Sequence, residues 1–163
     1  MKRNINLAIA VSLITAGLSQ TVGSQGIKDL PDVKEGLWES TTMMTGVTDK
    51  PVRTTMCTSN AVSRKMYEDT HNNSKSPCKE IHSERHDSLI VSESECNFGG
   101  KVTRSKATMT LTGNTGYRLE MRKADNTIET VIESKWVSAC PAGMKLGDVT
   151  GPDGKVMMNA LSP

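Results

Sequence analysis

Between Lys106 and Trp136 the chain reads KATMTLTGNTGYRLEMRKADNTIETVIESKW, and for most of that length apolar side chains fall on alternate positions. A period of two marks a strand with one buried face. Folding the segment at Gly113-Asn114-Thr115 sets Ala107 opposite Met121, Met109 opposite Leu119 and Leu111 opposite Tyr117. The same register sets Thr108, Thr110 and Thr112 against Glu120, Arg118 and Gly116, so apolar and polar residues separate onto two faces. A second turn at Asp125-Asn126, residue types that tolerate positive φ, sets Leu119 opposite Ile132 and Met121 opposite Thr130. Ile128 and Trp136 then fall on the same inner face.

Upstream, GLWESTTMM and PVRTTMC predict a first hairpin across Thr45 to Lys50, with Trp38, Ser40, Thr42 and Met44 on one face. TSNAVSRKMY, from Thr58 to Tyr67, opens on an N-cap residue and predicts a short helix, followed by the polar loop EDTHNNSKSP. CKEIHSERHDSLIVSESEC begins and ends on cysteine, and folding it about Asp87 sets Cys78 opposite Cys96. Together these segments predict a mainly β chain. Its architecture is an up-and-down antiparallel meander of about seven strands, forming a curved sheet or small barrel, with one short helix.

The N-terminus changes the picture of what is being folded. Lys2 and Arg3 precede the uncharged run INLAIAVSLITAGL, and small residues follow, which reads as a signal peptide over residues 1–24. The run is too short for a membrane span, and no cysteine lies beside it to carry a lipid anchor. Residues 25–163 then form a single β domain, large enough for a modest core and not membrane-spanning once the leader is removed. Loss of Lys2 and Arg3 takes the formal net charge from +2 to 0. Lys and Arg alternate with Glu and Asp elsewhere, so no basic stripe points to nucleic acid. The expected location is periplasmic, or secreted.

All four cysteines lie beyond the leader, and an even count in an oxidising compartment reads as disulfides. If Cys78 pairs with Cys96, Cys57 and Cys140 are left for each other. A zinc site is disfavoured because no CxxC is present, and His82 and His86, on a strand, would lie about 13 Å apart. They and His71 read as surface histidines. No nucleophile elbow, phosphate loop or metal-protease motif occurs, and Glu39 beside Trp38 lacks a second placed carboxylate, so no catalysis is predicted. Met43, Met44, Met109, Met121, Met157 and Met158 raise the question of copper(I), but no MxM or MxxM cluster is present. Methionine instead fills a core in a chain with only five aromatic residues. Neither a metal nor a cofactor is predicted.

Gly36-Leu37-Trp38-Glu39 soon after the leader, Cys57-Thr58, the mid-chain Cys78 and Cys96, and the closing KWVSACPAGMKLGD form an ordered set that resembles the domain-of-unknown-function family 3617, small exported bacterial proteins. The resemblance spans about Pro31 to Val156, with Trp136, Cys140, Gly147 and Asp148 completing the motif; Leu146 stands where proline is expected. It implies an envelope location and a mostly β domain, with no catalytic residues to carry over. The functional expectation is a non-enzymatic protein that binds an apolar small molecule or lipid in the curved sheet. Trp38, Met109, Leu119, Met121, Ile132 and Trp136 would line the ligand. The alternative is a protein-interaction module, such as an inhibitor of an envelope enzyme.

Overall fold

The computed structural model describes residues 30–47, 50–71 and 76–162; the expected leader lies outside them. The strands are β1 (Gly36–Met44), β2 (Val52–Thr58), β3 (Cys78–His86), β4 (Leu89–Phe98), β5 (Lys101–Thr112), β6 (Gly116–Lys123), β7 (Ile128–Ser138), β8 (Asp148–Thr150) and β9 (Val156–Asn159). Among the described residues one helix, α1 (Asn60–His71), follows β2 and precedes β3. The nine strands of the described residues form a single antiparallel sheet in the order β3-β4-β5-β6-β7-β1-β2-β8-β9, which does not close. Nine strands replace the expected seven because the C-terminal hairpin β8–β9 adds to the free edge of β2. Strands of three and four residues are too short to carry a readable period.

The meander follows the alternation. Ala107 pairs with Met121, Met109 with Leu119 and Leu111 with Tyr117, and β7 continues with Leu119 against Ile132 and Met121 against Thr130. A bulge beyond Met121 puts Ile128 opposite Arg122, so Ile128 leaves the inner row in which the alternation placed it. In the β3–β4 hairpin Cys78 stands opposite Cys96, but most of the ladder is one residue away from a fold about Asp87: His86 pairs with Leu89 and Ser83 with Ser92. A register shift between Glu80 and His82 restores the cysteine pair.

The first hairpin docks through β1 onto β7, so Ser40 pairs with Ser134 and Thr42 with Ile132. Helix α1 starts where the Ser59 hydroxyl accepts the Val62 N–H at 3.4 Å, and it runs four residues past the expected Tyr67. It touches both β2 and β3, although five strands separate those two in the sheet. On a flat sheet they would lie about 29 Å apart, farther than an 18 Å helix of this length spans. The sheet is therefore strongly curved, and α1 bridges its seam.

Fully buried apolar residues are few among the described ones: Trp38, Cys57 and Val62. The outer face carries ion pairs across strands, among them Arg118 with Glu120 and Glu133, Arg122 with Glu120, Arg104 with Glu95, and Lys106 with Glu93. Hydrogen bonds from Arg122 and Arg118 hold the Glu120 carboxyl below its usual range. This face is solvated; the inner face is where the apolar side chains gather.

Candidate functional site

One end of the curved sheet is built by the GLWE motif. Trp38 is 3% exposed, stacks on Tyr117 with ring centroids 6.1 Å apart, and donates its indole N–H to the Lys34 carbonyl at 2.8 Å. Small residues make room for this ring: Ser40 and Ser134 face each other beside it, their hydroxyls hydrogen-bonded at 2.8 Å. Trp136, directly across from Trp38, donates its indole N–H to the Glu35 carbonyl at 3.1 Å, and the Lys34 ammonium lies 3.5 Å above its ring. Gly36 has φ +143°, and a Cβ there would stand 2.3 Å from the Ser138 carbonyl oxygen and 2.5 Å from Trp136 Nε1. Only glycine lets β1 approach β7 this closely. Leu37 pairs with Cys57, and Glu39 on the outer face bridges Arg53 (3.5 Å) and Lys135 (3.3 Å). The motif is thus a strand anchor, and its glutamate is a cross-strand ion bridge.

The segment 30–35 crosses this same end like a strap. Lys34 N–H donates to the Asn114 carbonyl in the β5–β6 turn at 2.8 Å, and Val33 N–H donates to the Asn60 side-chain carbonyl at the start of α1. Between the strap, the β3–β4 turn and the β5–β6 turn lies an open cleft of about 340 Å³, lined by Pro31, Asp32, Arg85, Asp87, Leu111 and Asn114 among others. Below it the inner face continues through Ile90, Met109, Leu119 and Ile132, with Ala107 and Met121 one level deeper. All six are only half-buried. Apart from the stack of Trp38 on Tyr117, which links β1 to β6 across β7, the backbones of β4, β5, β6, β7 and β1 approach only their sheet neighbours among the described elements.

Of the six residues expected to line a ligand, Met109, Leu119, Met121 and Ile132 therefore form one contiguous apolar surface. Trp38 and Trp136 stand apart from it as the end wall, because their rings are engaged by Tyr117 and the strap. The cleft residues Arg85, Asp32 and Asp87 were not expected. Arg85 and Asp87 come from the β3–β4 hairpin and Asp32 from the strap, and they carry no local motif.

The remaining motif positions are structural. Disulfides join Cys57 to Cys140 and Cys78 to Cys96, the two pairs reached from the hairpin and by elimination. Gly147, at φ +90°, donates its N–H to the Cys57 carbonyl, and its own carbonyl accepts from Ala160. The Asp148 carboxylate accepts from the Lys145 N–H at 2.7 Å and from the Asn159 amide at 2.8 Å, which together hold its pKa below the usual carboxylate range. Gly147-Asp148 thus fastens the C-terminal hairpin beside the Cys57–Cys140 bridge, and leucine at 146 does not disturb that turn.

His82 and His86 turn toward one another despite their spacing, each ring reaching the same Glu84 carboxylate oxygen, at 3.6 and 3.4 Å. No group of three or more His, Cys, Asp or Glu side chains is gathered to hold a metal among the described residues. Met43, Met157 and Met158 are exposed, whereas Met109 and Met121 belong to the inner face. No helix among the described residues is long and apolar enough to cross a membrane. The family described as Protein of unknown function (DUF3617) matches residues 33–140, stopping at Cys140 and so short of Gly147 and Asp148. No curated protein and no solved structure matches the chain.

Proposed function

Since the chain belongs to the DUF3617 family, which carries no assigned function, no activity comes with the fold, and we propose that it is a non-enzymatic envelope protein binding an apolar small molecule or lipid on the inner face of its curved sheet. The observation that carries this reading is the contiguous, half-buried apolar surface of Met109, Leu119, Met121 and Ile132, on strands whose backbones approach only their sheet neighbours among the described elements. An apolar surface of this kind in a concave setting gains by covering, and a small ligand supplies the cover. The leader-like N-terminus and the pairing of all four cysteines support export to the periplasm or beyond. The test is native mass spectrometry of protein purified from its own compartment, joined to titration with a fluorescent alkyl probe. Saturable one-to-one binding at about micromolar Kd is expected, weakened in Leu119→Gln. Absence of both a co-purifying ligand and saturable probe binding would sink the proposal.

A second reading draws on a different feature. Val156, Met157 and Met158 are more than half exposed on β9, the last strand of the sheet. An exposed apolar edge suits strand addition by a protein partner, as an inhibitor of an envelope enzyme would use. A binding partner lost on Met157→Lys, with probe binding intact, would favour it.

A further inference from the structure

Toward the lower end of the inner face, four serines stand in two cross-strand pairs, Ser83 opposite Ser92 and Ser94 opposite Ser105. Ser92 and Ser94 are two residues apart on β4, so both pairs share one face and form a single array over β3, β4 and β5. The register shift between Glu80 and His82 is what lets Glu80 and Ser83, three residues apart, both face inward. All four serines are half-buried. Their hydroxyls bond to no other protein group among the described residues, although cross-strand hydroxyls elsewhere in this sheet bond to each other: Ser40 with Ser134 at 2.8 Å and Thr55 with Thr150 at 2.6 Å. The array therefore presents donors and acceptors that the fold itself does not use.

The charges beside it are already engaged. Glu80, opposite Ser94, accepts from the Tyr67 hydroxyl of α1 at 3.1 Å, and Lys123, opposite Ser105, lies 3.7 Å from the Glu129 carboxylate. An anionic group placed on the serines meets Glu80, and a cationic group meets Lys123. On its other side the array adjoins the apolar surface, since Ser92 faces Ala107 on β5 and Ala107 faces Met121 on β6. From Ala107 the apolar column rises past Met109 and Leu119 to Leu111 at the cleft, four residues of strand or about 13 Å. Its length suits one alkyl chain.

Resting on the reading that the inner face binds an apolar ligand, we propose that this ligand is a single-chain amphiphile with an uncharged polyol head, a glycerol or a sugar. The alkyl chain lies along the column and the head sits on the serine array. A hydroxyl both donates and accepts, so each serine pairs with a ligand hydroxyl in either sense. Spread about 10 Å across the strands and about 7 Å along them, the four engage several ligand hydroxyls at once. A few placed polar groups beside an apolar lining are what fix the orientation of a small ligand.

The experiment titrates the intact oxidised protein with four probes of equal chain length: monolaurin, dodecyl glucoside, laurate and dodecyltrimethylammonium, each below its aggregation concentration. Calorimetry reads affinity. The tighter of the two polyol probes is expected to bind at least about tenfold more tightly than either charged one, and which of them is tighter names a glyceride or a glycoside as the source. The paired substitutions Ser83→Ala with Ser92→Ala, and Ser94→Ala with Ser105→Ala, are each expected to remove about tenfold of that affinity. Dodecyltrimethylammonium, whose head cannot hydrogen-bond, should bind these variants as it binds wild type, which together with unchanged melting temperatures establishes that they fold. A charged probe that binds as tightly as the polyols, or polyol binding indifferent to both paired substitutions, overturns the head-group assignment and leaves the alkyl site standing. If none of the four probes binds, the alkyl site falls with it.

Discussion

Replacing Trp38 by alanine tests whether the GLWE tryptophan is the anchor of the sheet. The side chain is 3% exposed and is one of only three fully buried apolar residues among those described. Truncating a buried aromatic to alanine costs about 3–5 kcal/mol, of which the stack on Tyr117 accounts for about 0.5–1.5 kcal/mol. Against a total stability of about 5–15 kcal/mol this is a large share. For a domain of this size it corresponds to a fall in Tm of roughly 10–20 °C. Trp38→Phe keeps a ring against Tyr117 and loses the indole donor to the Lys34 carbonyl, so about 1–2 kcal/mol is expected. The assay is calorimetric melting of the oxidised proteins. An Ala variant melting within about 2 °C of wild type would refute the anchor reading, since burial of this size cannot be lost without trace. Equal losses in the Phe and Ala variants would move the energy from the ring to the strap that its N–H holds.

Gly36→Ala should be as damaging as Trp38→Ala or more so, because its Cβ would stand 2.3 Å from the Ser138 carbonyl oxygen; urea unfolding of the two variants side by side checks this. Removing the Cys57–Cys140 bridge, whose residues are 83 apart, should cost about 4.5 kcal/mol, against about 3 kcal/mol for Cys78–Cys96 at a separation of 18. Paired serine variants melted without reductant test the order, and a larger loss from the shorter loop would contradict it. Because the Asp148 carboxyl is held below its ordinary pKa in the folded state, its contribution is present above about pH 4 and is lost as pH falls through the lowered value. Asp148→Asn should therefore be less stable than wild type at neutral pH, and urea melts should converge in strong acid; a gap that persists there would mean the loss is not electrostatic.

The sequence carried the meander well because its information is local. From Ala107 to Met121 the paired residues are sorted by polarity, and Gly113 and Asn126 supply the positive φ that the turns require. The shared inner face of Met109, Leu119, Met121 and Ile132 follows from that register alone. Bulges were not legible: the shift near Ile81 and the one beyond Met121 add a residue without changing composition. Nor was the docking of β1 on β7, since nothing in either strand names a partner some ninety residues away. The cleft was hidden for the same reason, being assembled from the strap and two turns that meet only when the sheet curls.

That distant pairing sets the order in which the chain can fold. The strands from β3 to β7 each find a neighbour next to them in sequence, and can zip up as soon as they exist. β1 cannot: its inner-face tryptophan has no partner strand on that side until β7 is in place, and Ser40 must find Ser134 across 94 residues of chain. Closing so long a loop before it is rewarded is slow, so refolding of the oxidised chain is expected in the millisecond-to-second range of high-contact-order β proteins. The Cys57–Cys140 bridge ties the strand beside β1 to the segment just after β7, and so spans the very junction that chain entropy makes hardest to form. With it intact the two ends of the search begin already tethered, and its loss should slow refolding as well as weaken the fold.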